Sequence, residues 1–267
     1  MQIKMIAALL LAWAWACPML AHADEDGIIT DRPGLVESSK VVGAGRFQVE
    51  TSVAQDRDDS AGVRQRTWYT PTLLRFGLGD TLEARIETDG RMRSVTSTGN
   101  ATSSARQTEN GYADLALGLK WHIADAEGTR PSMAVLAHVD LDSGSSAFRS
   151  TGKGGSLRLT SEWELDDDWG LGVMPGLAWQ HDEQGARYTS AIFGIVLNRQ
   201  LSERSSAFVS YSAPQIARGR HGGVSATVDV GGTWLLSNTV QLDTALSRGL
   251  NHNTPDWSWT AGLSLKF

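Results

Sequence analysis

Between Thr81 and Asp89 the chain reads TLEARIETD. Leu82, Ala84, Ile86 and Thr88 share one parity, and Glu83, Arg85, Glu87 and Asp89 share the other. Successive strand side chains point to opposite faces, so this stretch, as a strand, has one oily side and one densely charged side. The same split recurs in GRFQVETSVA (45–54) and in SLRLTSEWEL (156–165). Helical spacing is hard to find anywhere in the chain.

Counting such segments predicts about twelve strands of roughly ten residues, the length that crosses a bilayer when tilted. Their expected bounds are 45–56, 64–77, 81–93, 111–123, 131–142, 154–165, 169–181, 187–199, 205–214, 223–236, 239–248 and 257–267. The ninth alternates worst, because Phe208 and Tyr211 disagree about which face is oily. Tight-turn pairs at 79–80, 166–167 and 237–238 alternate with longer polar links at 93–110, 143–153, 214–222 and 247–256. The expected fold is therefore all-β: a closed antiparallel transmembrane β-barrel with short periplasmic turns and longer extracellular loops. In hydrocarbon every unpaired backbone group costs several kcal/mol, so the last strand, WSWTAGLSLKF (257–267), must pair with the first.

Aromatic placement agrees. The outward parity carries Phe47, Trp68, Phe76, Trp121, Trp163, Trp169, Trp179, Trp234, Trp257 and Phe267. With odd-numbered strands ascending, these side chains form two belts, the pattern of membrane interfaces. The opposite parity is polar and gives the candidate lumen residues. These are Glu50 on the first strand, Arg75 on the second, and Arg85, Glu87, Asp89 and Arg91 on the third. Asp114 and Lys120 follow on the fourth, His138 and Asp140 on the fifth, and Arg158 and Glu162 on the sixth. Asp229 and Asp243 lie on the tenth and eleventh. Inward charges of both signs either line a path or pair across strands and fill the interior.

Residues 1–23, with Lys4, an apolar run and Ala-His-Ala at 21–23, have the plan of a cleaved signal peptide. Its removal takes the only cysteine and leaves 23 basic against 30 acidic residues, a net −7. Disulfides, a thiolate metal site and a nucleic-acid partner are thereby excluded. Residues 24–44 show no alternation before the barrel proper at 45–267. That segment is either a loose periplasmic tail or a lumen plug held through Asp31, Arg32 and Glu37. No cofactor, metal site or catalytic constellation is expected. His122 and His138 point inward, so no Ser–His pair reaches the lipid face.

Three stretches together resemble one known family. TDRPGLVESSKVVGAGRFQVE (30–50), YADLALGLKW (112–121) and VQLDTALSRGLNHNTPDWSWTAGLSLKF (240–267) are similar to the opening, middle and closing motifs of the "putative MetA-pathway of phenol degradation" outer-membrane family. The middle motif departs from it at Ala113, where the family commonly has Gly. The resemblance implies a transporter of small, aromatic or hydrophobic organic molecules in the outer membrane of a Gram-negative bacterium. The closing strand also resembles the signal read by the outer-membrane assembly machinery, so that machinery and outer-membrane lipids are the implied partners, with the solute unassigned. The competing readings are a structural barrel without transport and an outer-membrane lipid-modifying enzyme.

Overall fold

A computed structural model describes residues 27–60, 62–100 and 103–267. The expected signal peptide lies outside the described residues. Among the described residues fifteen strands form one antiparallel sheet whose two ends meet. In chain order they are β1 (Phe47–Ser60), β2 (Val63–Tyr69), β3 (Thr72–Gly77), β4 (Leu82–Thr88), β5 (Arg91–Asn100), β6 (Ser103–Tyr112), β7 (Leu115–Ala124) and β8 (Ser132–Asp140). Then follow β9 (Gly154–Glu164), β10 (Trp169–His181), β11 (Arg187–Ser202), β12 (Ser205–Ile216), β13 (Val224–Ser237), β14 (Val240–Gly249) and β15 (Trp257–Lys266). Three pairs, β2 with β3, β4 with β5 and β6 with β7, are each one barrel strand interrupted once, so the barrel has twelve staves. Closure runs from Gln48↔Lys266 to Arg57↔Trp257. Phe47 and Phe267 complete the seam, each N–H donating to the other's carbonyl at 3.2 and 2.8 Å.

The polarity of this barrel is inverted relative to a soluble protein. Arg75, Glu83 and Lys120 are completely buried inside, while Trp121 and Trp234 are 55% and 62% exposed outside. A continuous apolar outer surface of this kind is stable only against lipid. Its lower rim holds Phe47, with Phe76 and Phe267 at centroid distances of 6.4 and 6.2 Å. Its upper rim holds Trp68 edge-on to Trp259 at 5.5 Å. Arg199 lies over Trp169, and Arg248 over Trp257, at about the same 5 Å. Trp163 and Trp179 share the outer face through their pairs with Leu171 and Gly155.

The three interruptions lie side by side. Thr70 N donates to the carbonyl of Asp89, and Ala113 N to that of Gly90, at 2.9 Å each. Gly90 has φ +63°, and a Cβ there would sit 2.5 Å from the Thr70 carbonyl, so only glycine fits. Below this line Thr72 faces Thr88, but above it Trp68 faces Arg93, one residue out of step. That single extra residue is a β-bulge and reverses the parity of the strand above it. Arg91, expected in the lumen, is consequently exposed on the outer face opposite Tyr112.

A second expectation also changes. The predicted loop at 93–110 is instead the β5–β6 hairpin. Its strands are polar on both faces because they stand beyond the apolar band, where no lipid imposes alternation. The backbone still has to be hydrogen-bonded, and pairing does so. Strand β6 has no partner on its far side among the described residues. The link at 141–153 folds over that edge, with Ser145 N–H donating to Tyr112 O at 2.9 Å.

Leu263 stands midway along β15 between the two aromatic rims, opposite Thr51 and Leu242. Replacing it with Arg places a charge near the bilayer midplane and should destabilise the refolded barrel by about 2–4 kcal/mol in urea titrations. Equal stability of L263R and the parent would mean that this face does not meet lipid.

Candidate functional site

The chain before β1 enters the barrel from its short-turn end and leaves by the same end. Ile28 N–H donates to Asn238 O in the β13–β14 turn at 2.7 Å. The segment climbs to a tip at Asp31–Gly34 and descends past Glu37, and Lys40 Nζ reaches Asp125, beyond the end of β7, at 2.5 Å. Val42 N–H then donates to Glu83 at 3.0 Å before β1 begins.

Irregular backbone inside a barrel survives only if its polar groups find partners there. The wall provides them. Glu50 accepts from the N–H groups of Asp31 and Arg32 at 2.9 and 3.1 Å. Arg75 donates to the carbonyls of Ile29 and Lys40, both at 2.9 Å, and Lys120 to that of Ser38 at 2.8 Å. Glu162 accepts from Ser39 N–H at 2.6 Å. His122 Nδ1 lies 2.9 Å from the Ser39 carbonyl.

At the centre the Asp31 carboxylate meets three cations: Lys120 at 2.6 Å, Arg85 at 2.7 Å and Arg75 at 3.4 Å. Burial opposes its ionisation, but Arg75, Lys120 and Arg85 outweigh burial and hold the carboxyl well below the usual carboxylate range. Glu37 pairs with Arg85 at 2.7 Å and Arg158 at 3.1 Å. The wall contributes its own anions, with Glu50 and Glu83 on Arg75 at 2.9 and 2.8 Å, and Glu87 on Arg85 at 3.0 Å. Packing adds shape to charge. Val36 occupies the space left by two wall glycines, since a Cβ on Gly172 or Gly194 would lie 3.0 or 2.7 Å from it.

Above the tip, at the long-loop end, a vestibule of about 700 Å³ opens between Arg32, Glu87, Asp89, Met92, Phe148 and Tyr188. Two further cavities of about 310 Å³ each flank the segment, and all three touch Arg32 and Gly34. The tip thus stands where the interior spaces meet. One flanking cavity has a mixed lining, with Phe208, Ile28, Pro33 and Val36 beside Asp31, Arg32, Glu162 and Arg204.

Most sequence-derived lumen residues fall into this arrangement. Glu50, Arg75, Arg85, Glu87, Lys120, Arg158 and Glu162 join the central network, and His138 Nε2 lies 2.9 Å from Glu87. Asp243 faces Arg32 at 3.8 Å. Asp89, Asp114 and Asp140 line the vestibule, where Asp114 ties down the 141–153 link by accepting from Gly144 and Ser150 N–H at 2.7 and 2.8 Å. Asp229 stands apart on the opposite wall and accepts from the hydroxyls of Ser210, Ser212 and Thr227 at 2.7–3.0 Å. Arg91 takes no part.

Glu83 belongs to the network as well, on Arg75 and Arg85. Its parity in TLEARIETD was the available signal. Phe208 was also missed. Its ring turns inward over Gly231, whose absent side chain leaves room, while Tyr211 faces outward beside Phe193 at 6.4 Å.

Residues 30–267 match the family model described as "Putative MetA-pathway of phenol degradation". Among solved structures, the COG4313 outer membrane channel from Pseudomonas putida F1 is similar at TM-score 0.63 and 12% identity, over 88% of this chain and 99% of that one. The transport unit of the autotransporter AIDA-I from Escherichia coli gives 0.52 at 10% identity, over 98% and 96%. The translocator domain of the autotransporter NalP from Neisseria meningitidis gives 0.51 at 14% identity, over 86% and 90%. At these identities the likeness concerns the fold, which is that of outer-membrane barrels. No protein of curated function matches the sequence.

Replacing Asp31 with Ala leaves Arg75, Arg85 and Lys120 buried against one another without their shared anion, a loss of about 3–5 kcal/mol for such a site. The segment should then leave the wall, so that trypsin cuts after Lys40 in D31A while the parent resists. Equal resistance in both proteins would show that Asp31 does not hold the segment.

Proposed function

Because the chain belongs to the family described as "Putative MetA-pathway of phenol degradation", we propose that it is an outer-membrane channel for small organic solutes, aromatic or hydrophobic in character. The observation that carries this reading is the interior itself: a vestibule of about 700 Å³ open towards the long-loop end, stopped by one short segment rather than by the wall. Twelve-stranded barrels fall between those filled by their own side chains and wide aqueous porins, so the path is narrow. Residues 27–44 are the plug, the described part of the segment at 24–44, with Asp31, Arg32 and Glu37 as its anchors. The mixed lining, Met92, Phe148 and Tyr188 beside Arg32, Glu87 and Asp89, suits a ring that carries a polar substituent.

The protein reaches its place by export through a cleaved signal peptide, and the assembly machinery recognises the closing strand ending at Phe267. The aromatic rims then sit at the two interfaces of the outer membrane, in contact with its lipids. One observation favours a structural barrel without transport: nearly every central charge is already paired. An interior held so tightly conducts only when the segment moves.

Planar-bilayer recording separates the two. The parent should show a low conductance, and a variant lacking residues 24–40 a clearly larger one, with faster entry of small phenols into liposomes. Unchanged current in the deletion variant would remove the plug, and silence in both proteins would favour the structural barrel.

A further inference from the structure

The outer face of the β1–β2–β5–β6 wall changes character abruptly above the aromatic rim. Cross-strand register places Trp259, Gln55, Trp68, Arg93 and Asn110 in one row. The next row outward reads Arg248, Trp257, Arg57, Arg66, Val95 and Thr108. The row beyond that holds Asp59, Arg64, Ser97 and Arg106. Six arginines therefore share one patch of the outer surface, at the height where a bilayer's headgroups begin.

Three of them are answered by acids. Arg57 and Arg64 both pair with Asp59, and Arg248 pairs with Asp256 at 3.4 Å. Arg66, Arg93 and Arg106 are exposed and have no ion-pair partner among the described residues. Together with Arg64, Trp68, Val95 and Ser97 they line a shallow concavity of about 380 Å³. Like charges gathered on one sheet face repel, so the protein alone gives no reason for the cluster. Guanidinium forks do match phosphate oxygens in pairs, and such charge-assisted bonds strengthen at the rim of an apolar medium.

We propose that this concavity binds the phosphorylated glucosamine headgroup of lipid A, the lipopolysaccharide anchor that faces the long-loop end in an outer membrane. The acyl chains lie against the apolar band below Trp68 and Trp259, while Arg66, Arg93 and Arg106 hold the phosphate. The proposal rests on the outer-membrane location argued above but not on transport. The cluster stands on the outer face, whereas the vestibule and the plug are inside.

The test uses the refolded full-length barrel in phosphatidylcholine nanodiscs, titrated with bisphosphorylated lipid A, with enzymatically dephosphorylated lipid A and with inorganic phosphate. Tryptophan fluorescence reports binding near Trp68. Bisphosphorylated lipid A should bind the parent at least about tenfold more tightly than the triple variant R66Q/R93Q/R106Q, with the dephosphorylated form weak on both. Conductance and heat-modifiable mobility of the variant should equal the parent's, which establishes that it is folded. Equal affinity of parent and variant, or binding that ignores the phosphates, would overturn the proposal. Binding of free phosphate as tight as that of lipid A would overturn the assignment to a lipid. Loss of conductance in the parent with lipid A binding intact would instead count against the channel alone.

Discussion

Everything in this molecule follows from one constraint: a backbone N–H or C=O left unpaired in hydrocarbon costs several kcal/mol. A sheet that enters lipid must therefore close, and here β15 closes it on β1 through ten residue pairs. Closure then dictates the side chains. One parity of every stave meets lipid and is apolar, and the other meets a space too narrow to be bulk water and too polar to stay empty. The sharp division of TLEARIETD into oily and charged faces is this constraint written in residues.

The interior inherits a second difficulty. Arg75, Arg85 and Lys120 come from three neighbouring staves and are all buried, an arrangement that is costly unless anions reach them. Wall carboxylates at Glu50, Glu83 and Glu87 supply part of the compensation, and the segment before β1 supplies Asp31 and Glu37. The segment in return has its backbone satisfied by wall side chains, so each half is incomplete without the other. This reciprocity explains how an unpaired stretch of chain is held without regular secondary structure.

The register of alternation made the strands legible, and with them the closure and the rims. It failed at Gly90, where one inserted residue reverses the faces and sends Arg91 outward. No local residue pattern announces that, because glycine at a bulge reads like glycine at a turn. The 93–110 stretch reads as a loop yet forms a hairpin for a related reason: alternation reports lipid, and beyond lipid it has nothing to report. The central network was half legible. Parity identified its wall residues, but the pairing of Asp31 with Arg75, Arg85 and Lys120 spans up to 89 positions of sequence and depends on where the barrel's stagger brings them.

The bulge line has a consequence for how the two faces of the barrel are used. Below it, outward positions are apolar and inward ones carry the charges that hold the segment. Above it, on the same staves, the reversed parity puts Arg91 and Arg93 outside and Met92 and Ser94 inside, with Met92 on the vestibule. One residue thus exchanges the sides on which charge appears at the height where lipid tails give way to headgroups. An unbroken strand would have carried these arginines to the inner face at the mouth of the barrel. By displacing them, the bulge leaves the inner charge balance undisturbed and gives the outer surface cations where an anionic leaflet can meet them.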